Sequence, residues 1–180
     1  MKILSPDFSL VKYGLEVRFV EEEDAEFIYE LRTNQNLNKH LNEVVGGVEN
    51  QKQWIKEYKK REALGLDYYF IFLINGERQG VCRLYDIHEN DFTSGSWIFK
   101  EDAVLGSAVI GDIISREIAY SINPNFINYF DVRKENVSVV RYALSYKPEI
   151  INEDEQNIYF KETREQFDKY KEIYLRMVKK

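Results

Sequence analysis

The sequence predicts an α/β fold in which strands and amphipathic helices alternate along a single domain spanning residues 1–180. Three observations predict it. Period-two apolar runs such as Leu15, Val17 and Phe19 are interleaved with stripes at helical spacing. An Asn75-Gly76 pair divides two β-rich runs in YYFIFLINGERQGVCRLYDI, the strongest short-range hairpin signal. No Pro-, Gly- or Ser-rich linker and no long-period repeat interrupts the chain.

The elements follow in order. Leu15, Val17 and Phe19 form one face of a first strand, after which Asp24 is placed to cap a helix carrying Phe27, Ile28 and Leu31. A second helix has Asn50 as its candidate cap, Trp54, Ile55 and Tyr58 as its apolar stripe, and Glu57 four residues before Arg61. The hairpin about Asn75-Gly76 supplies two antiparallel strands, and FTSGSWIFK a fourth. A helix over about 107–122 buries Val109, Ile113, Ile114, Ile118 and Tyr120. INYFDVR reads as a fifth strand, followed by a helix with Val137, Val140, Ala143 and Leu144 that Pro148 stops. Two short β runs, EIIN and NIYFKE, precede a terminal helix on which Phe167, Tyr170, Ile173, Tyr174 and Met177 line up. The predicted order is β-α-α-β-β-β-α-β-α-β-β-α.

Composition excludes several function classes. With 180 residues, 44% hydrophobic and 14% aromatic, the chain is long enough for one sizeable core. Its 25 Lys and Arg against 31 Asp and Glu, a net charge of −6, argue against a nucleic-acid partner. The single Cys82 excludes an internal disulfide, and with only His40 and His88 no metal site is expected. Cys82 reads as a small buried strand residue. No run reaches the ~18 apolar residues of a membrane span, nor does the start resemble a secretion signal, so a soluble cytoplasmic protein without a membrane partner is expected.

The order of elements, with LEVRFVEEEDAEFIYELR opening the domain, NGERQGVCRLYDI as the central hairpin and FDVRKENVSVVRYA near the end, resembles the GCN5-related N-acetyltransferase (GNAT) superfamily. The branch it resembles holds ribosomal-protein N-terminal and amino-sugar N-acetyltransferases. The resemblance covers residues 15–162, with 163–180 as an added C-terminal helix. It implies a mixed, mostly antiparallel sheet splayed between the fourth and fifth strands, helices on both faces, and acetyl-CoA as cosubstrate.

Residue by residue, the resemblance implies a cofactor site. Trp97, Ile98 and Phe99 would lie on the strand that pairs with the pantetheine amides. Gly106, Ser107, Ala108 and Val109 would bring backbone N–H groups and the positive helix end to the pyrophosphate. The family's leading Gln or Arg is here Ala103. Gly106 and Gly111 alternatively serve close helix packing, a role assigned to Gly111 in particular. Asn136, with Ser138 as a weaker neighbour, matches an Asn that contacts the coenzyme arm, and it is equally placed as a helix cap. The family's acid tyrosine falls seven residues after that Asn, where this chain has Ala143, so Tyr142 is the nearest candidate to protonate the leaving thiolate.

Direct acyl transfer needs a base for the ammonium and N–H groups for the oxyanion, and no enzyme nucleophile. His88 is the candidate base, with Asp86 and Glu89 as alternatives. Arg32, Asn34 and His40, in the Asn-rich connection after the first helix, are candidate contacts to an acceptor phosphate or sugar hydroxyl. The acceptor expected is a small-molecule amine, a nucleotide-linked amino sugar by resemblance. The alternatives are a protein N-terminus, or a noncatalytic module that binds CoA. A homodimer is compatible with the sequence.

Overall fold

A computed structural model describes residues 2–40 and 45–178. Of the connection after the first helix, residues 41–44 lie outside the described residues. The strands are β1 (Ser9–Lys12), β2 (Leu15–Phe19), β3 (Tyr68–Ile74), β4 (Glu77–Tyr85), β5 (Asp91–Phe99), β6 (Ile127–Arg133), β7 (Glu149–Glu153) and β8 (Asn157–Thr163). The helices are α1 (Ala25–Thr33), α2 (Val48–Ala63), α3 (Ser107–Ile122), α4 (Val137–Ser145) and α5 (Arg164–Val178).

These strands form one sheet in the order β1-β2-β3-β4-β5-β6-β8-β7, antiparallel throughout except between β5 and β6. That parallel pair is joined only at Asp91–Ile127 and Phe92–Asn128, and beyond it the two strands part. β5 and β6 are the fourth and fifth strands of the sequence reading, shifted by one because β1 precedes them. β1 escaped that reading because it is four half-exposed residues long and turns through Tyr13-Gly14, both at positive φ (52° and 85°), where tyrosine gives no turn signal.

Alternation along the strands divides the core. On one face Phe70, Phe72 and Leu84 pack under α3 and α5 through Ile110, Ile113, Ile114, Phe167 and Leu175. On the other, Tyr69, Ile71, Val81 and Ile98 meet α1 and α2 through Ile28, Leu31, Ile55 and Tyr58. Val132, Phe160 and Ala143 make a third cluster beneath α4.

Several local expectations are corrected. Asp24 makes no side-chain cap bond to α1. Its buried carboxylate instead accepts from Arg18 (2.7 and 2.9 Å), Arg78 (2.8 Å) and the Glu21 N–H (2.8 Å), a balance of two cations that a surface cap could not supply. α2 starts at Val48 with Gly47 as its cap, so Asn50 falls within the first turn. Glu57 pairs with Lys60 (2.7 Å), while Arg61 turns to the buried Asp67 (2.9 Å). Val109 is only half-buried. On α5 the buried residues are Phe167 and Leu175, with Ile173 and Met177 outside, because the helix rests on α3 along a stripe rotated from the predicted one.

Candidate active site

The site is built where β5 and β6 separate. A ladder that stops inside a protein leaves an orphan N–H. Here the buried Asn128 side chain answers it, accepting from the Ser94 N–H (3.2 Å) while its amide nitrogen donates to Glu162 (3.5 Å). Two residues further on, β5 bulges: Cys82 of β4 faces both Ser96 and Trp97, and Ser96 takes a left-handed φ of 47°. The bulge breaks the strand's regular pattern inside a cavity of about 170 Å³.

At the start of α3, Gly106 (φ 87°) turns the chain into the helix. The Ser107 N–H is held by the Val104 carbonyl (2.9 Å), and the first helical bond runs from the Ile110 N–H to Gly106 (3.0 Å). Ala108 and Val109 therefore precede the helical ladder and leave their N–H groups for a ligand. Ala108 borders a groove of about 360 Å³ walled by β5, the 103–108 loop and Val139, whereas the Val109 side chain does not line it. Trp97 Nε1 donates to the Ala108 carbonyl (2.9 Å) and fixes one wall, while the buried Ser107 hydroxyl has no partner among the described residues. A Cβ on Gly106 would come 2.9 Å from Val178 of α5. That glycine thus serves the turn and the helix contact, and Ala108 is the small side chain facing the groove. A Cβ on Gly111 would lie 2.5 Å from the Phe99 ring, which assigns Gly111 to packing.

Beneath the cavity lies a buried polar cluster. Arg116, 4% exposed, donates to both oxygens of Glu162 (3.0 Å each), to Asp112 and to the Tyr142 hydroxyl (3.1 Å). Its guanidinium also stacks near Tyr146 (4.2 Å) and Phe167 (4.6 Å). The Tyr142 hydroxyl donates to Asp112 Oδ2 at 2.6 Å. Burial, then the Asp112 charge, pushes Tyr142 well above the usual phenol range, so it holds its proton at neutral pH. Burial pushes Tyr146 up to about 12 and the Cys82 thiol up to about 12. Cys82 is therefore no thiolate, in agreement with its reading as a buried strand residue.

The fold is similar to that of known acetyltransferases. A solved structure described as apo FdhC, a nucleotide-linked sugar GNAT, shares 35% identity over 96% of this chain and 99% of its own, with a TM-score of 0.84. The chain belongs to the GCN5-related N-acetyltransferase superfamily. The ribosomal-protein-S5-alanine acetyltransferase of Vibrio fischeri (14% identity, 89% and 99% covered, TM-score 0.75) shares the fold. So does the N-acetyltransferase PseH of Campylobacter jejuni (14%, 83% and 98%, 0.63). No protein-family model and no curated protein matches the sequence. The protein is an N-acetyltransferase, and members of its superfamily use acetyl-CoA as cosubstrate. Among the described residues no cluster of three or more His, Cys, Asp or Glu is arranged to hold a metal, and no helix is long and apolar enough to cross a membrane.

Within this acetyltransferase the predicted residues fall into two groups. Trp97, Ile98, Phe99, Gly106, Ser107 and Ala108 line the α3 groove, and Asn136 and Tyr142 line the cavity at the split. Asn136 also caps α4, accepting from the Val139 N–H (3.4 Å). Arg32 and His40 border an adjoining cavity of about 200 Å³ with Tyr69, Tyr85, Asp131 and Arg133.

The rest stand apart. Ser138 is exposed and donates to Asn136 (3.1 Å). Asn34 opens onto a separate, acidic groove outside α1. His88, 68% exposed, pairs with Asp91 (2.8 Å) in the turn before β5, at the end where β5 and β6 are still joined. Asp86 and Glu89 are exposed around the same turn. Sequence reasoning missed Asp131, Arg133, the Ser96 bulge and the Asp112–Arg116–Glu162 cluster. One signal was available: Asp131 is a lone acid within the apolar run INYFDV.

Proposed function

We propose that the protein transfers the acetyl group of acetyl-CoA directly to the amine of a nucleotide-linked amino sugar, in a ternary complex. The observation that carries this is continuity: Trp97 and Val139 border both the α3 groove and the cavity at the split, and Ser94, Gly95, Ser96 and Asp131 border both that cavity and the one holding Arg32. One ligand can run from the helix start to the split, and a second can meet it from the other side.

In this reading the pyrophosphate rests at the start of α3, where the Ala108 and Val109 N–H groups and the helix dipole favour negative charge. The partnerless Ser107 hydroxyl and the small Ala108 fit such a ligand. The pantetheine arm pairs with the freed edge of β5. Acetyl-CoA supplies an activated thioester at the bulge, whose N–H groups stabilise oxyanion charge. Tyr142, protonated and held by Asp112 and Arg116, donates its proton to the departing thiolate. On the acceptor side, Arg32 and Arg133 suit a diphosphate, and Tyr69 and Tyr85 offer aromatic surface. The similarity to a nucleotide-linked sugar GNAT favours this acceptor.

Calorimetry of acetyl-CoA binding tests the coenzyme site. The parent binds. Ala108→Glu, which sets a carboxylate against the phosphates, weakens binding by about 1.4–4 kcal/mol, on the order of 10- to 1000-fold, while its melting curve stays that of the parent. A parent that binds no acetyl-CoA, or a folded variant that binds as well, refutes the site. An acceptor screen setting UDP- and dTDP-linked amino sugars against an alanine-terminated peptide decides the acceptor, and turnover of the peptide alone refutes the sugar.

A further inference from the structure

Tyr142 faces the leaving thiolate and leaves the proton of the incoming amine without an acceptor, and His88, the sequence candidate, is remote from the split. Asp131 occupies the required place. It borders both the cavity at the split and the acceptor cavity. Carrying the parallel offset of Phe92–Asn128 three residues onward sets Asp131 across the gap from Gly95, beside the bulge.

The pleat of β6 also fixes its direction. Phe130 and Val132 point into the apolar cluster beneath α4, so Asp131 and Arg133 face the opposite side of the sheet, where Tyr69 and Ile98 line the acceptor cavity. Tyr142 reaches the split from the α4 side. A carboxylate and a phenol thus flank the parted strands from opposite faces, one where an amine enters and one where a thiolate leaves.

We infer that Asp131 receives the ammonium of the acceptor and acts as the general base of the transfer. The inference rests on the ternary-complex reading above. An ammonium proton passes to the Asp131 carboxylate, and the freed lone pair forms the C–N bond to the acetyl carbonyl carbon. The carbonyl electron pair moves onto oxygen, the newly bonded nitrogen, which still carries two protons, gives one of them to solvent, and the electron pair returns as the C–S bond breaks and the thiolate takes the Tyr142 proton. Solvent removes the proton from Asp131 and restores that of Tyr142.

The groups that face Asp131 suit this role. Arg32 on α1, His40 after it, Tyr85 on β4 and Arg133 on β6 surround the cavity; Tyr159 lies opposite on β8 and Asp154 in the turn before it. Although the Asp131 side chain reaches the surface, its partial desolvation and the Asp154 charge raise its carboxyl above the ordinary range despite Arg133.

The test is the pH dependence of kcat/KM for acetyl transfer to a UDP- or dTDP-linked amino sugar, in the parent, Asp131→Asn and His40→Asn. Asp131→Asn is expected to lose about 10²–10⁴-fold near neutral pH. The deficit should narrow as pH rises toward the acceptor's own amine pKa, where solvent delivers free amine, and the acetyl-CoA Kd should stay unchanged. Binding of the same acceptor in the presence of CoA, read by calorimetry without turnover, should weaken in Asp131→Asn. His40→Asn should keep the parent's acid limb. A pH-independent loss, an Asp131→Asn profile parallel to the parent's, or an acid limb that disappears with His40 instead, overturns the assignment. If the parent acetylates only the peptide, the sugar reading falls and the same series on the peptide decides Asp131.

Discussion

Replacing Arg116 by Met tests the buried cluster under the split. The guanidinium is the single cation between Asp112 and Glu162, and both its neighbours and its own side chain are almost wholly buried. Met fills a similar volume but leaves Glu162 without the cation that offsets its burial. Breaking a buried ion pair from one side costs about 3–5 kcal/mol. For a domain of this length each kcal/mol moves the melting temperature by about 2–4 °C, so a drop on the order of 10 °C is expected.

The pH dependence has a definite sign. Burial already pushes the Glu162 carboxyl above its usual range, Arg116 pulling it back only in part, and removing Arg116 sends it further up. A carboxyl raised in the folded state binds its proton more tightly there. Its favourable contribution is complete below the unfolded pKa, about 4.3, and is lost as pH rises through the folded value. The deficit of Arg116→Met against the parent should therefore shrink as pH falls from 7 toward 4. Urea unfolding at a series of pH values measures it. A variant within about 1 kcal/mol of the parent at pH 7, too small for a broken buried pair, or a deficit that grows on acidification, refutes the reasoning.

Two further outcomes follow from the geometry. Tyr142→Phe removes the proposed proton donor and is expected to lower kcat about 10²–10⁴-fold with the acetyl-CoA Kd little changed, as measured by steady-state kinetics beside calorimetry. Gly111→Ala drives a methyl to within 2.5 Å of the Phe99 ring and should cost about 1–3 kcal/mol in denaturant melts; a neutral variant would mean that ring has room to withdraw.

What was legible in the sequence was what is local. The Asn75-Gly76 hairpin, the helix over 107–122 and the stop at Pro148 each carry their signal within a few residues, and so does the passage from strand through small residues to helix that marks the α3 groove. The proposed base and the buried cluster depend on pairings made across long stretches of chain. Arg116 meets Glu162 from 46 residues away, and Asp131 acquires its place only because β6 runs parallel to β5 and then leaves it. Ser96 reads as an unremarkable strand residue, and only the unequal count of residues on β4 and β5 reveals the bulge. His88 has the right chemistry for a base, but topology sets it at the closed end of the split.

A side chain at Gly106 would meet Val178, so the turn proposed to hold phosphate lies against the last described turn of α5. During synthesis that helix is the final described element to leave the ribosome, so the loop at residues 103–108 gains its backing only once the chain has been read that far. Retention on a coenzyme A resin would then sort full-length protein from chains cut short within α5, and a fusion partner joined there would stand beside the cradle.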